Sequence, residues 1–451
     1  MKKTMRILSV ILAVMLAAAA FGAAAEQAPR RMETAADADE WAAAFLGEHP
    51  EGLEGAWAMT EQMEAAAAQL GGIGAMAKQL AGLGTVQEIG SAYEDEIRGD
   101  KAFLIPCVFP VMRVDLVLVV RDGAIAGLST GPYSGAEEER AESDAYDRVE
   151  LALPVPSLNG ALPGELTVPK GEGLYPAVIL LQGSGSSDRD ETLGNLKPFR
   201  DIAEGLAERG VAVYRFDKRS YTYGAEMATN KQLTLADEYL EDAVNAVQLL
   251  AEQEKIDPER IFVLGHSLGG TAIPAVAREL EQAKTKARGF IMMAASARPL
   301  DELMREQYDF LYSLMPEVSE AQQAEKDAVF AELDKLKDLD SLKEDDTVLG
   351  VYASYWKWLA AYDILQAAGE ITGPVLLLQG EEDYQVTTAD FDIWREAFGE
   401  KENWRMISYP GLTHLFMEGK KAEGSAAYAR DGSVDARVID DIAAFVAEAG
   451  K

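Results

Sequence analysis

The run Ile261-Phe262-Val263-Leu264-Gly265-His266-Ser267-Leu268-Gly269-Gly270 constrains this chain more than any other. A short apolar stretch with strand character ends in G-x-S-x-G and passes directly into Thr271-Ala272-Ile273-Pro274-Ala275, which suits the start of a helix. A serine hydroxyl is a poor nucleophile unless it is exposed and set beside a base. A sharp strand-to-helix turn supplies that exposure by lifting Ser267 clear of a sheet. Gly265 and Gly269 flank it because side chains at both places are expected to collide across the turn. The helix aims its first amides at the site, so the Leu268 N–H is a candidate donor to a developing oxyanion. Alone the motif is a weak signal; between a buried strand and a helix it calls for partners.

Histidine is scarce, with His49, His266 and His414 the three in the chain. His49, before Pro50, reads as a surface residue. His266 sits inside the turn and reads as packing, its ring directed away from the nucleophile. His414 lies in Tyr409-Pro410-Gly411-Leu412-Thr413-His414-Leu415-Phe416, after the last apolar strand. A loop there emerges at the same edge of a parallel sheet as the turn, so His414 is the expected base. Gln379-Gly380-Glu381-Glu382-Asp383-Tyr384-Gln385-Val386 follows the preceding strand and offers three acids. Asp383 is the expected partner of the imidazole, with Glu381 and Glu382 as solvated turn residues. The order Ser267, Asp383, His414 is that of α/β-hydrolases.

A second oxyanion donor has to come from a loop after an early strand. Gln182-Gly183-Ser184-Gly185-Ser186-Ser187 provides one, with the Ser184 N–H first and Gly183 and Gly185 as alternatives. The stretch lacks the Lys-Ser/Thr ending of a phosphate loop. Asp188-Arg189-Asp190-Glu191 and Asp217-Lys218-Arg219 put charges of both signs near the same edge. Two readings stand open for them: ion pairs that stiffen the oxyanion loop, or surface salt bridges. No cluster of His, Cys and carboxylates has metal-ligand spacing, and neither metal nor cofactor is expected.

From Arg148 onward apolar strands alternate with helical segments, which predicts a mostly parallel sheet covered on both faces. Strands are expected at Ala177–Gln182, Val211–Phe216, Gly289–Ala294, Val375–Gln379 and Trp404–Tyr409, after an opening hairpin of Val149–Val155 and Leu162–Val168. Between about 296 and 365 a helical insertion interrupts this rhythm at the edge that carries the site, as a lid would. Phe310, Leu311, Trp356 and Trp358 recur in it at helical spacing and suit the lining of an acyl pocket. Residues 37–133 read as a small α+β domain of Ala-rich helices followed by strands, and 134–147 as an acidic linker.

The first residues read as an export signal over 1–25: Lys2, Lys3 and Arg6, an apolar stretch from Ile7 to Ala20, then Ala23-Ala24-Ala25 before Glu26. Cleavage there would leave no stable membrane insertion and a secreted or extracytoplasmic protein. A single cysteine, Cys107, excludes an internal disulfide and reads as buried packing. The net charge of −34, from 76 acidic and 42 basic residues, opposes binding to nucleic acid and anionic membranes.

From about Arg148 to the end the chain resembles bacterial α/β-hydrolases of the serine esterase group, near dienelactone-hydrolase-like and acyl-thioester-hydrolase-like enzymes. The matching pieces are the 182–191 loop, Tyr214-Arg215-Phe216-Asp217-Lys218-Arg219, the G-H-S-L-G-G turn, the Asp383 loop and Gly411-Leu412-Thr413-His414. The resemblance implies a Ser267–Asp383–His414 triad and hydrolysis of a small-molecule carboxylic ester, acylated carbohydrates among the candidates. Dienelactone hydrolases proper use a cysteine nucleophile, and this chain has serine. Ala38 to Pro132 resembles a small nuclear-transport-factor-like domain of unknown function found ahead of such hydrolases. A prolyl-oligopeptidase-type peptidase and a thioesterase are alternatives on the same fold, and an inactive cell-surface binding module is the alternative of another class.

Overall fold

A computed structural model describes residues 29–450 except 70, 81–83, 98, 110–112, 132, 134 and 136–139. The expected export signal lies outside the described residues. The chain divides into two compact units, one reaching to Ala81 and taking in Ser91–Ile105 and Val117–Ser129. The other comprises Gly82–Gly90, Pro106–Leu116 and Thr130–Lys451. Among the described residues no helix is long and apolar enough to cross a membrane.

In the N-terminal part, helix Ala35–Phe45 begins where Thr34 and Asp37 cap each other reciprocally. It buries Ala38, Trp41, Ala42 and Phe45, the spacing of one helical face, with Trp41 stacked on Phe45. Gly71 and Gly72, at φ +89° and +99°, end helix Glu61–Gln69 and separate it from Ile73–Leu80. Five strands form one sheet: Glu88–Ile89, Tyr93–Ile97, Asp100–Val108, Arg113–Arg121 and Ala124–Gly131. Asp122 and Gly123, both at positive φ, close the last hairpin. Cys107 is fully buried in this sheet, and burial pushes its thiol up to about 11. It is a packing residue.

The larger unit is built on an eight-stranded sheet. Its strands are β1 (Tyr146–Glu150), β2 (Gly164–Pro169), β3 (Tyr175–Leu181), β4 (Ala212–Phe216), β5 (Ile256–His266), β6 (Gly289–Met293), β7 (Val375–Gly380) and β8 (Trp404–Tyr409). They lie in the order β8-β7-β6-β5-β3-β4-β2-β1, with β1, β2 and β4 paired antiparallel and the rest parallel. Alternate residues feed two cores. Ile179, Val263, Met292 and Leu377 face one, and Val178, Leu264, Ile291 and Leu376 the other. Helices α1 (Pro198–Ala207) and, at the C-terminus, Ala436–Ala449 cover the second face. Helices α2 (Leu235–Ala251) and α3 (Leu268–Gln282) cover the first, as does Thr388–Phe398 through Trp394. This is the α/β-hydrolase fold.

The opening hairpin differs from expectation. Its arms split into two separate pairs, β1 with β2 and Leu153–Val155 with Gly160–Leu162. Pro163 falls between the two return segments, and a proline has no N–H to continue a ladder.

The insertion contains helices α4 (Leu300–Ser313), α5 (Glu320–Asp334), α6 (Ala353–Ala361) and α7 (Ile364–Gly369). Its start is pinned by fully buried Asp390, which accepts hydrogen bonds from Ser296 Oγ, the Ala297 and Arg298 N–H groups and the Arg298 guanidinium. Its far end is pinned to α3. Pro274 leaves that helix short of a donor, and the Tyr362 hydroxyl bridges the opened ladder, accepting from Ala275 N–H and donating to Thr271 O, both at 3.1 Å. Trp356 does not line a pocket. It packs with Leu333 and Val348 in a small core of the insertion's own, and its indole N–H donates to Val348 O. Trp356→Ala should therefore lower stability by about 3–5 kcal/mol in urea unfolding; a loss below about 1 kcal/mol would remove it from the centre of that core.

Candidate active site

Strand β5 ends at His266 and α3 starts at Leu268, so the whole change of direction falls on Ser267, at φ +52°, ψ −119°. For a non-glycine residue this is a strained conformation, costing on the order of 1–3 kcal/mol. It is held by Ser267 N–H donating to Met293 O on β6 at 2.8 Å, and by Thr271 donating to Ser267 O through both its N–H and its hydroxyl. The two flanking glycines are required for different reasons. A Cβ on Gly265 would lie 2.2 Å from Gly269 O, the expected collision across the turn. A Cβ on Gly269 would instead strike Leu181 O and Gln182 O, at 2.4 and 2.5 Å. That second glycine lets α3 pass against the end of β3.

Asp383 and His414 are brought together as the sequence suggests. Asp383, 1% exposed, places Oδ2 2.7 Å from His414 Nδ1. Its other oxygen accepts the Gln385 and Val386 N–H groups at 2.7 and 3.0 Å, which fixes the carboxylate plane. A carboxylate only accepts, so Nδ1 carries the proton and Nε2 is left as the basic nitrogen. Gly380 lets the histidine loop cross, since a Cβ there would meet Leu412 O and Thr413 O at 2.5 Å. Ser267 Oγ makes no hydrogen bond to His414 among the described residues; apo sites commonly hold this contact loose. Glu381 accepts from Ser408 Oγ and Glu382 from Lys420 and Lys421, on the outside of the turn.

The loop after β3 reaches Ser267. A Cβ on Gly183 would lie 3.1 Å from Ser267 Cβ. Gly183 is no candidate oxyanion donor, because its N–H is committed to Glu191 Oε1 at 2.6 Å. The Gly183 carbonyl is held from the other side by Lys218 Nζ at 2.6 Å, and the same ammonium reaches Gly185 O at 3.1 Å. In a trans peptide the N–H opposes the C=O, so this clamp turns the Ser184 N–H away from Lys218. Ser184 is exposed, and Leu268 N–H, the first amide of α3, has no carbonyl to meet inside the helix.

Most of the charges near this edge are buried, and Arg189, paired with exposed Glu150, is the surface salt bridge among them. Lys218, 2% exposed, also meets Glu238 Oε1 and the Tyr239 hydroxyl, each at 2.8 Å, and Glu238 in turn accepts the Tyr355 hydroxyl of α6 at 2.6 Å. Fully buried Arg215 ties Glu165 on β2 to Asp190 in the oxyanion loop, both at 2.8 Å. His266 needs correction as well. It is not mere packing around the turn, since its Nδ1 faces Glu191 at 3.0 Å and its Nε2 the His414 carbonyl at 3.0 Å. Glu191 and Lys218 lie in the two charged runs for which loop-stiffening ion pairs are one of the open readings, and Tyr239 went unassigned in the sequence. The available signal was the charged run Asp217-Lys218-Arg219 directly after the buried strand Val211–Phe216.

If Asp383 holds the tautomer of His414, Asp383→Asn should lower kcat on a nitrophenyl ester by on the order of 10⁴ while circular dichroism stays unchanged. A loss under about tenfold would take Asp383 out of the site.

Residues 195–420 match the sequence profile of the family described as serine aminopeptidase, S33. Esterase EstD of Thermotoga maritima is 37% identical over 334 residues, 73% of this chain and 76% of that protein. Among solved structures, Est1E from Butyrivibrio proteoclasticus aligns with a TM-score of 0.43 at 16% identity, over 66% of this chain and 98% of that one. The Pyrococcus furiosus esterase Pf2001 gives 0.44 at 16% identity, over 71% and 100%. With the profile spanning Ser267, Asp383 and His414, this chain belongs to the serine aminopeptidase S33 family of α/β-hydrolases.

Proposed function

We propose that Ser267, His414 and Asp383 act as a triad that cleaves small-molecule esters through an acyl-enzyme, outside the cytoplasm. The enzyme is a carboxylic ester hydrolase, in keeping with its 37% identity to a protein named an esterase. The observation that carries the mechanism is the 2.7 Å Asp383–His414 bond, set at the strand ends that also present Ser267.

Ser267 Oγ attacks the ester carbonyl carbon while His414 Nε2 takes its proton. The carbonyl oxygen becomes an oxyanion and is received by the Ser184 and Leu268 N–H groups. Collapse breaks the bond to the alcohol, which leaves with the proton from His414. Water then attacks the acyl-enzyme with the same imidazole as base, and the carboxylic acid departs as Ser267 recovers its proton. Asp383 stabilises the imidazolium formed at each transfer.

The insertion supplies a candidate acyl contact. Phe310 of α4 stacks on Tyr384, the neighbour of Asp383, with ring centroids 5.6 Å apart. Phe310→Ala should shift the preferred acyl chain length among p-nitrophenyl esters; an unchanged preference would reduce Phe310 to packing. The export reading rests on the basic and apolar pattern of the first residues, and N-terminal sequencing of the protein from a secreting host should begin at Glu26. Retention of Met1 or Lys2 would end it.

Ser267→Ala should reduce turnover by on the order of 10⁴ or more, with a fluorophosphonate labelling Ser267 and no other serine. Adding His414→Ala should cost little more, because the members act as a unit; multiplying losses would mean that they do not. An aminopeptidase reading has the description of the matched family behind it. A panel of p-nitrophenyl esters, acylated sugars and aminoacyl anilides separates the two, and turnover of anilides without esters would overturn the esterase.

A further inference from the structure

We propose that Glu191 is a positioning residue that fixes the oxyanion loop and the loop of the catalytic histidine from one carboxylate, an inference that rests on the triad reading above. Two donors converge on the same oxygen. Glu191 Oε1 accepts the Gly183 N–H at 2.6 Å and lies 3.0 Å from His266 Nδ1. Oε2 is 2.9 Å from the same ring nitrogen but accepts no aligned hydrogen bond. On the far side of the ring, His266 Nε2 is 3.0 Å from the His414 carbonyl oxygen. One carboxylate thereby touches the oxyanion loop and the nucleophile turn, and reaches the histidine loop through the His266 ring.

The chemistry of these partners sets the charge of His266. A carboxylate and a carbonyl oxygen both only accept, so each ring nitrogen must carry a proton, and the ring is an imidazolium. Burial works against that charge, but the Glu191 carboxylate, the His414 carbonyl and Asp383 together outweigh it, and His266 is held above its ordinary value. Phe199, Phe416 and the His414 ring enclose the imidazolium, which keeps water from competing for its protons. The side chains of His266 and Glu191 are only 5% and 10% exposed.

Backbone strain points the same way. Glu191 sits at φ +53°, a left-handed conformation that a side chain of its kind rarely adopts. The turn that forces it is over-determined: Asp188 accepts from the Asp190 and Thr192 N–H groups and the Thr192 hydroxyl, and Asp190 is anchored by Arg215. Gly183 is thus held by an anion at its N–H and by the Lys218 ammonium at its C=O. Removing the anion frees the Gln182–Gly183 peptide, so that the next peptide, which carries the Ser184 N–H, is held from its carbonyl side alone, and at the same time releases the His266 ring that braces His414.

The test uses the full chain, with kcat expressed per fluorophosphonate-titrated site so that misfolded protein does not count. Glu191→Gln keeps an acceptor for Gly183 but removes the charge, and should lower kcat about tenfold; Glu191→Ala should lower it about 10²-fold. KM should stay within about threefold, and affinity for phenylboronic acid, which forms a tetrahedral adduct at the serine, should fall in step with kcat. In wild-type protein, NMR of isotope-labelled histidine should show both nitrogens of His266 protonated at neutral pH. This measurement decides even if the alanine variant fails to fold. A neutral His266, or kcat per site within about twofold of wild type in Glu191→Gln, overturns the proposal. Turnover by Ser267→Ala would instead sink the triad reading, whereas an inert Ser267→Ala beside a fully active Glu191→Gln sinks this inference alone.

Discussion

The site depends on a backbone that passes from strand to helix within one residue. Nothing about a serine in a strand makes it reactive; its placement does. Strand β5 is buried between β3 and β6 up to its last residue, so the chain cannot bend gradually and must turn at Ser267. The turn is affordable only because Gly265 and Gly269 leave room for carbonyl oxygens that a methyl group would strike. The same closeness brings the loop after β3 against the serine. The exposure of Ser267 and the approach of the β3 loop are two results of one steric constraint.

Around that turn the protein buries charge, which is costly unless each charge finds a partner. Lys218 with Glu238, Arg215 with Glu165 and Asp190, Arg219 with Asp242, and His266 with Glu191 all do so. Replacing such pairs by apolar residues often leaves stability unchanged or improved, so stability is a weak reason for them. Their placement is more telling. Lys218 and Glu191 hold the carbonyl and the amide of Gly183 from opposite sides, and Arg215 anchors the same loop through Asp190. Tyr355 extends the chain of contacts from Glu238 into the insertion.

How legible was this in the sequence? The parallel strands were read almost to the residue, Val375–Gln379 against Val375–Gly380 and Trp404–Tyr409 unchanged. A strand covered on both faces is an unbroken apolar run and needs no knowledge of its neighbours. Asp383 and His414 were legible for a related reason, since a residue just past such a strand is delivered to one edge of the sheet. Partner choice was not legible. Whether Lys218 meets water or Gly183 depends on how β3 and β4 lie side by side, and no local pattern encodes that. His266 was misread because direct adjacency to the nucleophile suggests a spectator, whereas the strand turns its ring toward the histidine loop. Trp356 was misread because helical spacing reveals that a face is buried but not what buries it.

The hydroxyl of Tyr362 inside the ladder of α3 makes the insertion and the nucleophile helix a matched pair. Consider an exchange of the insertion for the corresponding segment of a relative. Here the incoming segment would arrive at a helix with a proline-made gap and nothing to fill it. The donor segment would also need a cation for Asp390 at its other end, since that carboxylate is fully buried. A workable chimera must therefore carry Tyr362 with its own spacing, or restore an unbroken helix at Pro274. Modularity in this fold stops where the insertion has become part of the hydrogen bonding of the scaffold.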